Sequence, residues 1–135
     1  MHLQNESIWR RIELARAAWE MFKTSPIFGV GLGNFIPQLP KFLIPKKLYF
    51  WQPVHIIFLL ISAEIGIIGL LFVAYYLLVI LRALWQKKNP ALFYSLLAII
   101  FTGFFDHYWL TLQQSQLLLA LIVGLSIGYH KKDVS

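Results

Sequence analysis

Residues 54–129 form a tract that is almost entirely apolar, and this tract constrains the fold more than any other feature. A chain of 135 residues cannot bury so much apolar surface in a soluble core, since 59% of its residues are hydrophobic and only 13% are charged. We therefore predict an all-α integral membrane protein. The chain has no cysteine, which excludes a disulfide framework and a thiolate metal site.

The apolar tract is too long for one upright span. As a helix, residues 54–81 alone would reach ~42 Å, against ~30 Å of hydrocarbon. The pair formed by Gly66 and Gly69 is a natural break, so we predict a short interfacial helix over 54–64. Three transmembrane helices are predicted to follow, over residues 66–85, 90–106 and 110–129.

Short loops indicate the orientation of these helices. Arg82 lies at the end of the first predicted span, and Lys87 and Lys88 lie between the first and the second, whereas the hairpin between the second and third contains no lysine or arginine. Lys131 and Lys132 follow the third span. The positive-inside rule then places the first loop and the C-terminus in the cytoplasm.

This orientation leaves an extracytoplasmic loop region, 1–65, ahead of a three-span membrane domain, 66–135. Residues 1–53 carry seven basic and three acidic side chains. Exporting such a segment is unfavourable unless other spans precede it, so we expect the chain to be a C-terminal fragment of a larger polytopic protein. The net charge of +6 favours anionic lipid or phosphate groups as partners, with no nucleic acid.

The outer region is predicted to begin with an amphipathic helix. Ser7 is its expected N-cap, and Pro26 ends it because proline disfavours helical conformation in the preceding residue. Three glycines and three prolines then indicate an irregular, closely packed loop over 27–47. The apolar stripe of the helix consists of Ile8, Ile12, Ala15, Trp19 and Phe22.

Two polar residues interrupt the start of the apolar tract. His55 is either an interfacial histidine bonded to headgroups and carbonyls or a general base for a hydroxyl, which suits its ordinary pKa of ~6.5. Glu64 lies nine residues further on, so on a continuous helix the two side chains point to opposite faces. We expect Glu64 to be structural, capping the helix that begins at the Gly66 break.

The outer region offers two possible phosphate sites. Arg10, Arg11 and Arg16 form either a solvated helix face or a cationic surface that clamps phosphate oxygens. The run GVGLGN lacks the preceding strand and the full spacing of a nucleotide loop, so close backbone packing or amides facing a substrate is favoured. The residues of this run that we assign to the predicted site are Gly29, Gly31, Gly33 and Asn34.

The outer hairpin carries Asp106 and His107. Adjacent residues diverge by ~100° on a helix, which disfavours a joint metal site and favours a turn cap. No metal ligand set is predicted anywhere in the chain.

Two stretches, RIELARAAWEMFKTSPIFGVGLGNF and HIIFLLISAEIGIIGL, together resemble the C-terminal domain of the O-antigen ligase and O-antigen polymerase family of bacterial polysaccharide-assembly membrane proteins. The family pattern has an arginine on a helix, a P-x-x-G-x-G loop, and a histidine usually followed by asparagine, nine variable residues and G-x-x-G. Here the last part is His55, Ile56, residues 57–65, Gly66 and Gly69. Ile56 stands where asparagine is usual, so any amide contact there is lost.

The resemblance implies a large polytopic, GT-C-like glycosyltransferase. Such an enzyme moves a glycan from undecaprenyl pyrophosphate to the hydroxyl of a glycan, lipid or protein acceptor, outside the bacterial cytoplasmic membrane. It implies no metal and no other cofactor. His55 would activate or orient the acceptor hydroxyl, and Arg11, or alternatively Arg10, would hold the pyrophosphate. The loop at 29–45 would shape the outer cavity.

A hypothesis in which the chain is not part of an enzyme also stays open. In it, the chain is a non-catalytic membrane remnant or an assembly subunit that lacks the upstream spans. Ligase, polymerase and protein O-glycosylation chemistry share the same motifs, so the resemblance does not separate them.

Overall fold

The computed structural model describes residues 2–43, 51–86 and 88–131, and all regular structure within them is helical. Parts of three predictions lie outside these residues: positions 44–47 of the loop, Lys87 of the basic turn, and Lys132 after the last span. The chain forms two compact units, Met1–Leu71 and Phe72–Ser135. The helices are α1 (His2–Thr24), α2 (Phe35–Phe42), α3 (Ile57–Gln86), α4 (Pro90–Thr102), α5 (Tyr108–Thr111) and α6 (Gln113–Lys131).

The first unit is built around a face of α1 that adjoins the predicted stripe, and of that stripe Ala15 packs against this core. Ile8, Ile12 and Trp19 of that stripe are 57%, 59% and 51% exposed. The buried face contains two alanines, whose small side chains let α1 approach its neighbours closely. Its residues recur at i, i+3, i+4 and i+7: Leu14, Ala17, Ala18 and Met21.

The core of the first unit joins α1 to α2 and to the start of α3. Phe35 and Leu39 of α2 are buried in it, as are Val54, Leu60 and Ala63. Burying a large apolar side chain stabilises a fold by about 1.5–3 kcal/mol. These residues therefore fix α1, α2 and the segment around His55 to one another.

The ends of α1 match the prediction at one end only. The helix begins at His2, so Ser7 lies inside it and the predicted N-cap is wrong. It ends at Thr24, ahead of Pro26, as the proline predicts.

Part of the predicted irregular loop is helical. Residues 35–42 form α2 despite two prolines. Pro37 lies in the first turn, where a backbone N–H has no partner within the helix, so its missing donor costs nothing there. Pro40 lies deeper and removes one intrahelical bond, but Phe35 and Leu39 anchor both sides of it in the core.

The helix α3 is interrupted at Gly66, where the predicted break occurs. Gly66 has φ 68° and ψ −169°, which is not helical. The first segment begins at Ile57 rather than 54. The second segment, about 20 residues long, rises about 30 Å, the thickness of the hydrocarbon core.

In the second unit, α3 packs against α4 through Ile80, Leu84 and Leu96, and α4 also contacts α6. The predicted second span, 90–106, is helical only to Thr102, and at 13 residues α4 rises about 20 Å. The predicted third span, 110–129, begins as helix α6 at Gln113. Within the described ranges, α3 alone is long and apolar enough to cross a membrane, so the three-span arrangement stays a prediction.

Candidate functional site

The glycine loop after α1 is hydrogen-bonded to the break in α3. In an uninterrupted helix, the N–H groups of Ile67 and Ile68 would donate to the carbonyls of Ala63 and Glu64. The non-helical Gly66 frees all four groups. The loop takes them up: Val30 N donates to Ala63 O (2.9 Å), Gly31 N to Glu64 O (2.8 Å), Ile67 N to Pro26 O (2.8 Å) and Ile68 N to Ile27 O (3.5 Å).

We call this set of contacts, between residues 26–31 and 63–68, the break clamp. A buried backbone group without a partner costs about 1–3 kcal/mol, so the clamp offsets most of the cost of interrupting α3. It joins the P-x-x-G-x-G loop to the G-x-x-G segment through residues that are 33 to 41 positions apart in the sequence. The two parts of the family pattern thus form one structural element.

Two glycines make the clamp sterically possible. Gly29 has φ +69°, and a Cβ there would overlap the backbone of Glu64. Gly66 has φ +68°, and a Cβ there would overlap the carbonyl of Ile27. Both positions need the left-handed backbone conformation that glycine adopts freely, and both need the absence of a side chain.

Glu64 bonds to a different helix from the one predicted. Its Oε1 accepts a hydrogen bond from the N–H of Phe35 at 3.1 Å, at the first residue of α2. The backbone carbonyl of Glu64 meanwhile accepts from Gly31 in the clamp. Glu64 thus serves both the clamp and the start of α2, instead of capping the helix that follows Gly66.

The remaining loop residues have smaller roles. Asn34 donates from Nδ2 to Val30 O at 3.2 Å, and its backbone N–H donates to Gly31 O at 3.1 Å, so it closes the loop ahead of α2. A Cβ at Gly33 would meet open space. Gly69 lies against the side chain of Ile65, one turn earlier in α3.

His55 lies on the turn immediately before α3. It is half-buried between two buried apolar residues, Val54 and Ile57. Because Val54 belongs to the core that contains Leu14, the backbone that carries His55 is fixed to the same core as α1. The backbone at His55 is therefore fixed to the first core, and its Nδ1 atom is buried.

Arg10 and Arg11 differ in their surroundings. Arg10 is half-buried, with its Nη2 3.6 Å from the Glu6 carboxylate. Arg11 is exposed, and within the described residues it forms no ion pair. Arg16 and Lys23 on the same helix pair with Glu13 and Glu20 at 3.4 and 2.8 Å. Arg11 is thus the α1 cation whose guanidinium is most available to a ligand.

The hairpin after α4 is organised around His107. Its backbone N–H donates to Asp106 Oδ1 at 2.7 Å, as a turn cap does, and its Nδ1 lies 2.6 Å from Thr111 Oγ1. Burial lowers the pKa of His107, and the nearby Asp106 carboxylate opposes this only in part. Among the residues with described side chains, no three metal-ligating groups come together.

The break clamp could have been partly anticipated. The signal was the two closely spaced glycines in each of the two segments, Gly29 and Gly31 and then Gly66 and Gly69. Glu64 stands out in the sequence as a carboxylate in an apolar run, but nothing in the sequence indicates that its partner is Phe35, 29 residues earlier.

A comparison with protein-family models finds a match to O-antigen ligase over residues 2–74. This covers more than half of the chain, and it includes α1, the loop, α2, His55 and both glycines of G-x-x-G. The chain belongs to the O-antigen ligase family. Members of this family are membrane proteins, and the family implies a lipid-linked glycan as substrate. Neither the curated proteins nor the solved structures give a match.

The family match coincides with the first structural unit. It ends at residue 74, shortly after the unit boundary at Leu71. The features that carry the family resemblance are therefore those that the break clamp and the first core hold together.

Proposed function

We propose that this O-antigen ligase family chain is the C-terminal part of a glycosyltransferase acting outside the bacterial cytoplasmic membrane. It moves a glycan from undecaprenyl pyrophosphate to an acceptor hydroxyl. The observation that carries the proposal is the break clamp. It joins the loop that follows α1, the helix of Arg11, to α3, the helix that follows His55. The polytopic topology, with residues 1–65 outside and the C-terminus in the cytoplasm, is part of the proposal.

The proposed reaction is a displacement at the anomeric carbon of the donor glycan. The acceptor oxygen forms the new bond to that carbon, while the bond from the carbon to the pyrophosphate oxygen breaks. The acceptor proton passes to a base, and the carrier leaves as undecaprenyl pyrophosphate with added negative charge. The site thus needs a group that takes up a proton and one that stabilises an oxyanion.

His55 is assigned the first task. An imidazole is the side chain best suited to accept a proton from a hydroxyl close to neutral pH. Half-burial on the turn before α3, next to the buried Val54, supports a fixed position for the ring, whose Nδ1 is buried, so that Nε2 is the nitrogen assigned to the acceptor. Its role is to orient and deprotonate the acceptor hydroxyl.

Arg11 is assigned the second task. A guanidinium presents two parallel N–H groups to phosphate oxygens and stays charged at all relevant pH values. The carboxylates of α1 pair with Arg10, Arg16 and Lys23 but leave Arg11 exposed. Arg10 is the alternative residue for binding the pyrophosphate, and it would have to give up its ion pair with Glu6 to do so.

The experiment is transfer from the undecaprenyl-linked donor, measured in membranes that contain the chain together with any upstream spans of the same protein. His55→Ala should reduce transfer by roughly 10²–10⁴-fold, the usual contribution of a general base. Donor binding should be unchanged. His55→Gln, which keeps a hydrogen bond but cannot take the proton, should be nearly as slow.

Ile56→Ala provides the matched control, since Ile56 is adjacent and partly exposed. It should leave transfer within about twofold of the wild type, on the general rule that surface changes away from special features have small effects. Wild-type transfer by a folded His55→Ala variant would overturn the catalytic role of His55. A protein with no donor binding at all would favour the non-catalytic alternative.

A further inference from the structure

The end of α3 and the turn after it carry positive charge that pairs with no carboxylate among the described residues. Arg82 and Lys88 are exposed. The sequence contains no aspartate or glutamate between Glu64 and Asp106. Asp106 follows the far end of α4, about 20 Å along that helix from Lys88. On α1, by contrast, three cations have carboxylate partners.

The backbone fixes Lys88 in an unusual conformation. Its φ is 51°, in the left-handed region. Lys88 N donates to Trp85 O and Asn89 N donates to Leu84 O, both at 3.1 Å. These two bonds are those of a Schellman helix end, in which the left-handed residue is usually glycine. A lysine there is disfavoured by its own backbone, and such strain is typical of functional positions.

Lys88 lies at the rim of an apolar groove. The groove has a volume of about 350 Å³, and Leu84, Trp85, Phe93 and Tyr94 line it beside Lys88. The ring centroids of Trp85 and Phe93 are 5.3 Å apart, and those of Phe93 and Tyr94 are 5.4 Å apart. We call it the Trp85 groove.

A second groove extends the surface past Trp85. Its volume is about 380 Å³, and it is shared by Trp85, Phe93 and Arg82. The Asn89 side chain accepts from Leu92 N at 3.3 Å and so fixes the start of α4 between the two cations and the aromatic rings. The turn is thus a preformed surface with aromatic rings in the middle and a cation on each side.

We propose that the Trp85 groove binds one anionic phospholipid. Lys88 contacts the lipid phosphate, Arg82 adds its charge from the adjoining groove, and an acyl chain lies along the rings of Trp85, Phe93 and Tyr94. Basic pockets between membrane helices bind anionic headgroups in this way. An apolar groove under a cation fits a lipid better than free phosphate, which has no apolar part. The proposal rests on the membrane placement of α3 and α4, not on glycan transfer.

The experiment uses the purified chain in neutral detergent, mixed with equal amounts of phosphatidylglycerol and phosphatidylcholine with identical acyl chains. Retained lipids are counted by native mass spectrometry. The wild type should retain phosphatidylglycerol preferentially. Lys88→Gly should lower that preference about fivefold, since a surface cation contributes about that factor. It should also fold at least as well, because glycine is favoured at this φ. Adding Arg82→Gln should lower the preference further.

Lys23→Gln is the matched control, because it removes one charge from an exposed helix site outside the groove. It should keep the phosphatidylglycerol preference. The proposal is overturned if the wild type shows no preference or if Lys23→Gln loses as much as Lys88→Gly. It is also overturned if millimolar inorganic phosphate removes the lipid. The effect of His55→Ala on glycan transfer does not change the lipid retention measured here. The glycosyltransferase proposal and the lipid-binding proposal can therefore be refuted independently.

Discussion

The Glu64 carboxylate accepts a hydrogen bond from the backbone N–H of Phe35 at 3.1 Å. The first N–H groups of a helix lack intrahelical partners and form the positive end of its dipole. The carboxylate of Glu64, which interrupts an apolar run in the sequence, is thus stabilised by the start of α2. In return, α2 is fixed against α3.

Glu64→Ala is expected to destabilise the first unit by about 1–2 kcal/mol, the usual cost of removing a helix cap. Glu64→Gln keeps an acceptor oxygen and loses only the charge interaction with the helix end, which contributes about 0.3–1 kcal/mol. Thermal unfolding in detergent measures both. Equal midpoints for wild type and Glu64→Ala would show that the bond contributes nothing.

Gly29→Ala and Gly66→Ala are expected to disrupt the break clamp. Each new Cβ meets backbone atoms that no rotamer change can move, in addition to about 1 kcal/mol for the left-handed backbone. We expect a loss of more than 2 kcal/mol for each, measured by chemical or thermal unfolding. Amide hydrogen exchange at Val30, Gly31 and Ile67 should accelerate, because these N–H groups donate across the clamp.

Gly33→Ala separates the steric overlap of a new Cβ from the cost of the left-handed backbone conformation. Gly33 has φ +73°, but a Cβ there meets no atom within 4 Å. It should therefore lose only about 1 kcal/mol for its backbone conformation and leave exchange at the clamp unchanged. A loss as large as that of Gly29→Ala would contradict the steric explanation.

Arg11→Ala is expected to weaken binding of the undecaprenyl-pyrophosphate carrier and to reduce transfer about 10²-fold, the usual cost of losing one oxyanion donor. Folding stability should stay within about 0.5 kcal/mol of wild type, as for other exposed sites. Arg11→Lys keeps the charge but loses the bidentate geometry, so its effect should be intermediate. Lys23→Ala, on the same helix, should transfer normally. A destabilised Arg11→Ala variant with normal carrier affinity would contradict the assignment.

The stability of the hairpin is expected to depend on pH through His107. Burial lowers the pKa of the folded histidine below its ordinary 6.5, so the unfolded chain takes up the proton first. Stability should therefore be constant above about pH 6.5 and fall as the pH decreases through that value toward the lowered pKa. The difference in unfolding midpoint between wild type and His107→Asn, followed from pH 7.5 to 5.5, isolates this contribution. Parallel curves for the two proteins would contradict it.

The end of α1 and the interruption of α3 were predictable because each depends on the residue at that position. Pro26 ends α1 by restricting the residue before it, and Gly66 interrupts α3 because glycine tolerates a backbone that other residues avoid. The length of the apolar tract and the G-x-x-G spacing pointed to the same position. Close packing of the loop at Gly29 and Gly31 also followed from their lack of side chains.

The long-range pairing was not predictable from one sequence. Hydrophobic periodicity describes a helix by itself, and α1 has two apolar faces, one with large residues such as Trp19 and one with alanines. The buried face is the one that contains Leu14, Ala17, Ala18 and Met21. Likewise, nothing local to Glu64 indicates that its partner is Phe35. Helix propensity alone also misses α2, where Phe35 and Leu39 anchor a helix that contains proline.

The break clamp also bears on the order of events during synthesis. Four backbone groups at the break have no partner within α3, and each costs free energy if it is buried without a hydrogen bond. The loop at 26–31 precedes the break in the sequence, so it has already left the ribosome when Gly66 emerges. The loop is therefore available to pair with the break as soon as residues 63–68 emerge. If circular permutation reversed the order of the two segments, the break would be synthesised first, and its backbone groups would stay unpaired until the loop emerged.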